Sequence, residues 1–344
     1  IYLSIYLSLT MSSRKDRGRF SGLQISVTNA PEDSFDADEE VFVKDNMAIT
    51  RTGISMKDNP KTFQVVYEEL DIGENIGRGS SSVVVRATHR ATRTPVALKI
   101  INMFDKSKRS QLLREIGTLY DAQCPSLISF FGAFYREGAI TIALEYMDGG
   151  SLSNVLAQAG PIPEQPLANV AFQILWGLAY LHHENRVHRD IKPSNILINS
   201  NGQVKITDFG ISAELANSIA MCGTFVGTFK YMSPERIQNR PYSYSSDLWS
   251  FGLVVVECST GAYPYPEEST PIDMVQTILE APQPSLPRDR FSPDLCAFVD
   301  HALAKDPERR LPGEVFLGAP WLSQCGAHSL DHAVHNVLTW IRSR

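Results

Sequence analysis

The chain has no CxxC pair, and its five cysteines stand far apart, at Cys124, Cys222, Cys258, Cys296 and Cys325. An odd number so spaced builds neither a zinc site nor a disulfide framework, so all five are expected to be free thiols of a reducing compartment. Also missing is any apolar run near the ~18–20 residues that cross a bilayer, which argues against a membrane-embedded protein. Long basic blocks are absent too. With a net charge of −6, the 344 residues offer no nucleic-acid surface, and protein or small-molecule partners are expected instead. What the chain does have is 43% hydrophobic residues, enough for one large enzyme domain or two ordinary ones.

Residue 1 is Ile, and IYLSIYLSLT precedes Met11. A secretory leader would carry a basic segment before its apolar core, and none is present, so Met11 is expected to be the start. Beyond it, Ser, Asp, Glu, Gly and Asn mix without periodicity, including the acidic run PEDSFDADEE at Pro31–Glu40. Residues 1–64 are therefore expected to be a disordered tail. From Val65 onward, short β-rich runs follow closely: EELDIGENIG, SSVVVRATHR, TPVALKIINM, LISFFGAF and ITIALEYM, with one helix-like segment inserted. After Gly149-Gly150 the pattern lengthens to helical periods, as in QPLANVAFQILWGLAYLHHE and YSSDLWSFGLVVVECSTG. The fold class expected is α+β, a small antiparallel β lobe with one helix joined to a larger helical lobe. EYMDGG is the single crossing, and the cleft between the lobes is where ligands commonly sit.

Within that cleft fall the residues with chemistry. GRGSSSVV, Gly77–Val84, is a glycine turn between two strands whose backbone N–H groups suit a phosphate chain. A strand follows it instead of a helix, which departs from the dinucleotide-binding fingerprint. Taken alone, a structural hairpin explains it equally well. Lys99 of VALK lies on the next strand, and Glu115 of QLLREIGTL lies on an apolar helix; paired, they make a charge-assisted clamp for phosphates. HRDIKPSN and TDFG follow. There Asp190 suits the acceptor of a hydroxyl proton, Asn195 and Asp208 suit Mg²⁺, and Lys192 suits the charge of a phosphoryl group in transfer.

Taken in order, these motifs resemble the protein-kinase family over about residues 68–323. The resemblance implies a bilobal kinase domain at residues 65–325, followed by a helical extension at 326–344, with ATP and Mg²⁺ as cofactors. It implies catalytic roles for Lys99, Glu115, Asp190, Lys192 and Asn195, and metal binding by Asn195 and Asp208. An adenine pocket is implied at Ile76, Gly77, Gly79, Val84, Ala97, Lys99, Leu144, Glu145 and Met147, with Leu144 at the back. Ser82 stands where the glycine loop has its third glycine, and SPE at Ser233–Glu235 stands where the family usually has APE. Glu235 is implied to pair with Arg310, and Asp247 of DLWSFG to brace the catalytic loop.

Lys192 is similar to the Ser/Thr type of catalytic loop, and DFGISAELANSIAMCGTFVGTFKYMSPERI, with ALEYMDGGSL, resembles the MAP kinase kinases. Such enzymes are dual-specific, acting on the Thr and Tyr of a Thr-x-Tyr loop in a MAP kinase. Ala220 occupies the first acceptor position of the animal enzymes, whereas Ser218 and Thr224 give the Ser-x5-Thr pattern of the plant type. Both are expected to be phosphorylated by an upstream MAP kinase kinase kinase, ordering the loop through Arg189. Thr228 is expected to shape the substrate pocket instead. In the tail, Arg14, Lys15, Arg17 and Arg19 ahead of Leu23 and Ile25 have the order of a MAP kinase docking peptide. A cytoplasmic location, with nuclear access, is the matching expectation. The competing readings are a Ste20-like or upstream Ser/Thr kinase, which the FVGTFKYMSPER run disfavours, and a pseudokinase scaffold, which the retention of Lys99, Asp190 and Asp208 disfavours.

Overall fold

The computed structural model describes residues 33–36, 41–44, 47–56, 65–79, 82–102, 112, 116–208, 229–266 and 270–344. Two groups of elements meet along one crossing. The first is a five-stranded antiparallel sheet of β5 (Leu70–Arg78), β6 (Ser82–His89), β7 (Pro95–Asn102), β8 (Phe130–Arg136) and β9 (Ala139–Glu145), in the order β5-β6-β7-β9-β8. Runs such as VALKII and ITIAL are rich in the β-branched residues that suit a pleated, half-buried surface. Their register sets Lys99 opposite Val84 on one side and Ile142 on the other. Residues 116–121, following Leu112, are helical, which is the inserted helix expected of this lobe.

One expectation gives way here. Residues 47–56, read as tail, form β3 (Met47–Ile49) and β4 (Ile54–Met56), an antiparallel pair in a four-stranded sheet with β1 (Asp33–Asp36) and β2 (Val41–Lys44). Ile49 is wholly buried, and Met47, Ala48 and Ile54 are nearly so. Met47, Ile49 and Ile54 share a cluster with Leu112, Ile116, Leu119 and Tyr120, and Tyr135 donates its backbone N–H to the Thr50 carbonyl at 2.9 Å. The apolar area removed from water explains why this segment folds despite its polar surroundings in sequence. Residues 1–32, with the docking-like segment, lie outside the described residues.

The second group is helical: α1 (Leu152–Ala159), α2 (Glu164–His183), α3 (Pro234–Ile237), α4 (Ser245–Thr260), α5 (Pro271–Glu280), α6 (Pro293–Ala302), α7 (Gly313–Phe316), α8 (Pro320–Gln324) and α9 (Leu330–Arg342). Sixteen of the twenty residues of α2 are buried, so it is the spine on which α4, α7, α8 and α9 pack. Helix starts are written in the sequence: Ser151 and Asn154 form a capping box on α1, while Thr270, Ser292 and Ser329 cap α5, α6 and α9. Against this lobe lies a two-stranded hairpin, β10 (Ile196–Ile198) and β11 (Val204–Ile206).

The crossing is tight. Gly149 donates to the Ile198 carbonyl at 3.0 Å, and a Cβ on Gly149 would sit 2.7 Å from that same oxygen, so only glycine allows the approach. No described helix is long and apolar enough to cross a membrane. Cys124, Cys258, Cys296 and Cys325 are free thiols, as expected; Cys222 lies outside the described residues.

Candidate active site

The roof of the cleft is the β5–β6 turn. Gly77 N–H donates to Asn75 Oδ1 at 3.1 Å, and Gly79 N–H to the Ser82 carbonyl at 2.8 Å, which closes the turn. Beneath it, Ile76 is exposed while Val84 and Ala97 are half-buried. Exposed apolar side chains flanking a cleft suit a flat aromatic ligand. Leu144, cross-strand partner of Ala97, is buried behind them, and Met147 is buried in the crossing. The Glu145 carboxylate is engaged elsewhere: its Oε2 accepts from Lys205 Nζ at 2.7 Å and from Ser129 Oγ at 2.7 Å.

The floor is the 188–195 loop, shaped by one buried carboxylate. Asp247, near the start of α4, accepts the backbone N–H of His188 and of Arg189, each at 2.8 Å, and pairs with His182 Nε2 at 3.0 Å. Burial acts to raise its pKa, but the hydrogen bond and charge of His182, with the Arg189 N–H, outweigh that and hold it low. Those bonds fix a bend in which Arg189 sits at φ +73°. His188 Nδ1 accepts the Asp190 N–H at 3.2 Å, so the ring proton sits on Nε2 and is donated to the Thr207 carbonyl at 3.1 Å. Burial lowers the pKa of His188 against the pull of Asp247 and Asp190 and keeps the ring neutral.

The sequence-derived candidates converge on this loop. Asp190 Oδ2 accepts from Lys192 Nζ at 2.7 Å and from Asn195 Nδ2 at 2.8 Å, while Asn195 Nδ2 also binds the Asp190 carbonyl at 2.8 Å. Thr207 N–H donates to the Asn195 carbonyl at 3.0 Å, tying the loop to the strand that ends before Asp208. From the β lobe, Lys99 Nζ reaches Asp208 Oδ1 at 2.5 Å. Burial raises the Asp208 pKa, yet the charge and hydrogen bond of Lys99 overcome it and leave the carboxyl below its ordinary value. Thus Lys99, Asp190, Lys192, Asn195 and Asp208 gather at one cleft. Hard oxygen donors from Asn195 and Asp208 beside two ammonium groups fit Mg²⁺ and a polyphosphate. Glu115, Ser218, Thr224 and Thr228 lie outside the described residues.

Away from the cleft, Arg310 grips Glu235 through Nη1–Oε1 and Nη2–Oε2 at 2.7 and 2.8 Å, with Ser246 Oγ adding a third donor. Burial raises the Glu235 pKa, and the Arg310 guanidinium outweighs it and holds it low. Sequence reasoning missed His182 as a partner of Asp247 and the Glu145–Lys205 pair, because no local spacing links residues so far apart. Arg189 Nε is buried with no hydrogen-bond partner among the described residues. Arg236 donates to the Arg189 carbonyl at 2.6 Å, and both guanidinium groups lie over the Tyr242 ring.

A buried carboxylate, two oxygen donors suited to a hard metal and two ammonium groups between a β lobe and a helical lobe fit a phosphoryl-transferring protein kinase. The protein kinase domain family matches residues 70–322. Mitogen-activated protein kinase kinase 3 of Arabidopsis thaliana is 49% identical over 276 residues, 79% of this chain and 53% of that protein, so the chain spans about half its length. Mitogen-activated protein kinase kinase 2 of the same plant is 42% identical over 273 residues, covering 77% of this chain and 75% of its own. The Drosophila melanogaster dual specificity mitogen-activated protein kinase kinase dSOR1 is 36% identical over 336 residues, covering 89% and 84%. The chain belongs to the protein kinases and, among them, to the MAP kinase kinases.

Proposed function

We propose that the chain transfers the γ-phosphoryl group of ATP to the Thr and Tyr of a MAP kinase Thr-x-Tyr loop. The observation that carries this reading is the Asp190 carboxylate, held by Lys192 and Asn195 and joined through Thr207 to the Lys99–Asp208 pair. In it, Asp190 accepts the proton of the incoming hydroxyl, and Lys192 neutralises charge on the phosphoryl group as it moves. Lys99 and Glu115 orient the α- and β-phosphates. Asn195 and Asp208 would hold Mg²⁺, which when bound offsets phosphate charge and aligns the transferring group. Because little covalent work falls to the protein, positioning and electrostatics carry the acceleration.

An upstream MAP kinase kinase kinase would switch the enzyme on by phosphorylating Ser218 and Thr224, with Arg189 receiving the added charge. Arg189 Nε, which has no hydrogen-bond partner among the described residues, supports that role. The basic and apolar segment Arg14–Ile25 docks the substrate, and the enzyme works in the cytoplasm, with access to the nucleus. Deleting residues 11–26 should raise KM for an intact MAP kinase and leave a short peptide unaffected; equal effects would remove docking from the proposal. The test of the whole is a Ser218→Asp/Thr224→Asp variant given ATP, Mg²⁺ and catalytically dead MAP kinases, read by mass spectrometry. Phosphate on both Thr and Tyr is expected, and its absence from either residue contradicts dual specificity.

A further inference from the structure

Helix α9 begins beyond residue 322, where the match to the protein kinase domain stops, yet it is built into the helical lobe. Ala333 and Val337 are wholly buried. Its backbone rests on the tip of the β10–β11 hairpin: a Cβ on Gly202 would collide with the Val334 carbonyl and the Leu338 nitrogen, and Gly202 itself sits at φ +81°. A stripe of buried amides on α2 fastens both partners. Gln173 Nε2 donates to the Gly202 carbonyl at 3.1 Å and its Oε1 accepts the Val204 N–H at 2.8 Å. One turn earlier, Asn169 Oδ1 accepts from Asn336 Nδ2 at 3.0 Å, and Asn169 Nδ2 donates to the Cys325 carbonyl at 3.0 Å.

The hairpin held this way carries the candidate metal ligands at its two ends. Asn195 immediately precedes β10, and Asp208 follows β11 by two residues. The ribbon has only three residue pairs, Ile196 with Ile206, Leu197 with Lys205 and Ile198 with Val204. So short a ribbon has little stability of its own, so its geometry is imposed from outside. Its base is held by Ser126 and Ile128, which bracket Ile206, and the Gly149–Ile198 bond holds the end next to the turn. Its tip is held by Gln173, by Asp148 accepting the Ser200 N–H at 2.7 Å, and by the backbone of α9.

We propose that α9 is a brace for this hairpin, and that Asn336 and Val337 are positioning residues which act through it on Asn195 and Asp208. The proposal rests on the reading of those two residues as Mg²⁺ ligands. Displacing α9 removes the backbone packed on Gly202 and leaves the tip to Gln173 and Asp148, a looser hold, and a tilt of the ribbon moves both ligands together. Residues that orient metal ligands without touching the metal have large effects on its binding.

The test uses full-length Asn336→Ala and Val337→Ala, with Phe316→Leu as a control that perturbs the helical core away from the hairpin. Amide hydrogen exchange is measured on the ligand-free chain, together with the Mg²⁺ concentration giving half-maximal phosphoryl transfer. In both α9 variants, exchange at Gly202, Val204 and Ile206 should quicken about tenfold or more. Half-saturating Mg²⁺ should rise by a factor of about ten. Phe316→Leu should lower the melting temperature and change neither reading. Unchanged hairpin exchange in both α9 variants overturns the brace, as does an equal response in the control. Faster exchange with unchanged Mg²⁺ dependence upholds the brace and overturns the ligand reading of Asn195 and Asp208.

Discussion

Lys99 on the β lobe and Asp208 beyond the β10–β11 hairpin form an ion pair of 2.5 Å across the cleft. It is the one charge pair among the described residues that joins the strand bearing VALK to the segment bearing TDFG, and it makes the site's acid sensitivity calculable in sign. The Asp208 carboxyl has a lower pKa folded than unfolded, because Lys99 more than offsets burial. Its contribution is therefore present above the unfolded value of about 4 and is lost as pH falls through the lower folded value. Asp208→Asn should abolish that part of the decline. Thermal melts from pH 7 down to pH 3 should show the wild type losing more stability than the variant; parallel loss in the two would contradict the pairing.

Asp247 predicts a second outcome. Its carboxylate serves two backbone N–H groups and His182 while almost wholly buried. Asp247→Ala leaves those donors unmet and should cost about 2–5 kcal/mol by denaturant unfolding, with transfer activity reduced further because the 188–195 bend relaxes. His182→Ala, which removes one of the three, should cost about 1–3 kcal/mol. A His182 variant as damaging as Asp247→Ala would show that the backbone bonds matter less than the geometry implies.

The β3–β4 hairpin supplies a third. Ile49 is fully buried against the cluster that holds Ile116, so Ile49→Ala should destabilise the chain by about 2–5 kcal/mol. A solvated tail residue at that position would change stability by less than about 0.5 kcal/mol. Urea unfolding separates the two.

Which features the sequence revealed follows from how local they are. Asp190, Lys192 and Asn195 stand within one loop, so they were readable as candidates from a single string, and the alternating strands around VALK were as plain. Glu235 and Arg310 were paired only through the family resemblance. The His182–Asp247 and Glu145–Lys205 contacts were hidden, since nothing in composition or period joins a helix end to a distant helix start, or a crossing to a hairpin. Residues 47–56 misled for the opposite reason: two three-residue strands, separated by Thr50–Gly53 and flanked by polar sequence, carry too short a pattern to register as alternation. Their burial depends on a helix and a strand edge that come much later in the chain.

The central claim is that Asp190 accepts the substrate proton during phosphoryl transfer. Its most direct measurement compares the Ser218→Asp/Thr224→Asp chain with the same chain carrying Asp190→Asn, each in single turnover with radiolabelled ATP, Mg²⁺ and a catalytically dead MAP kinase. ATP affinity should be little changed, and the transfer rate should fall by about a hundredfold or more. A rate within a few-fold of the parent would contradict the account.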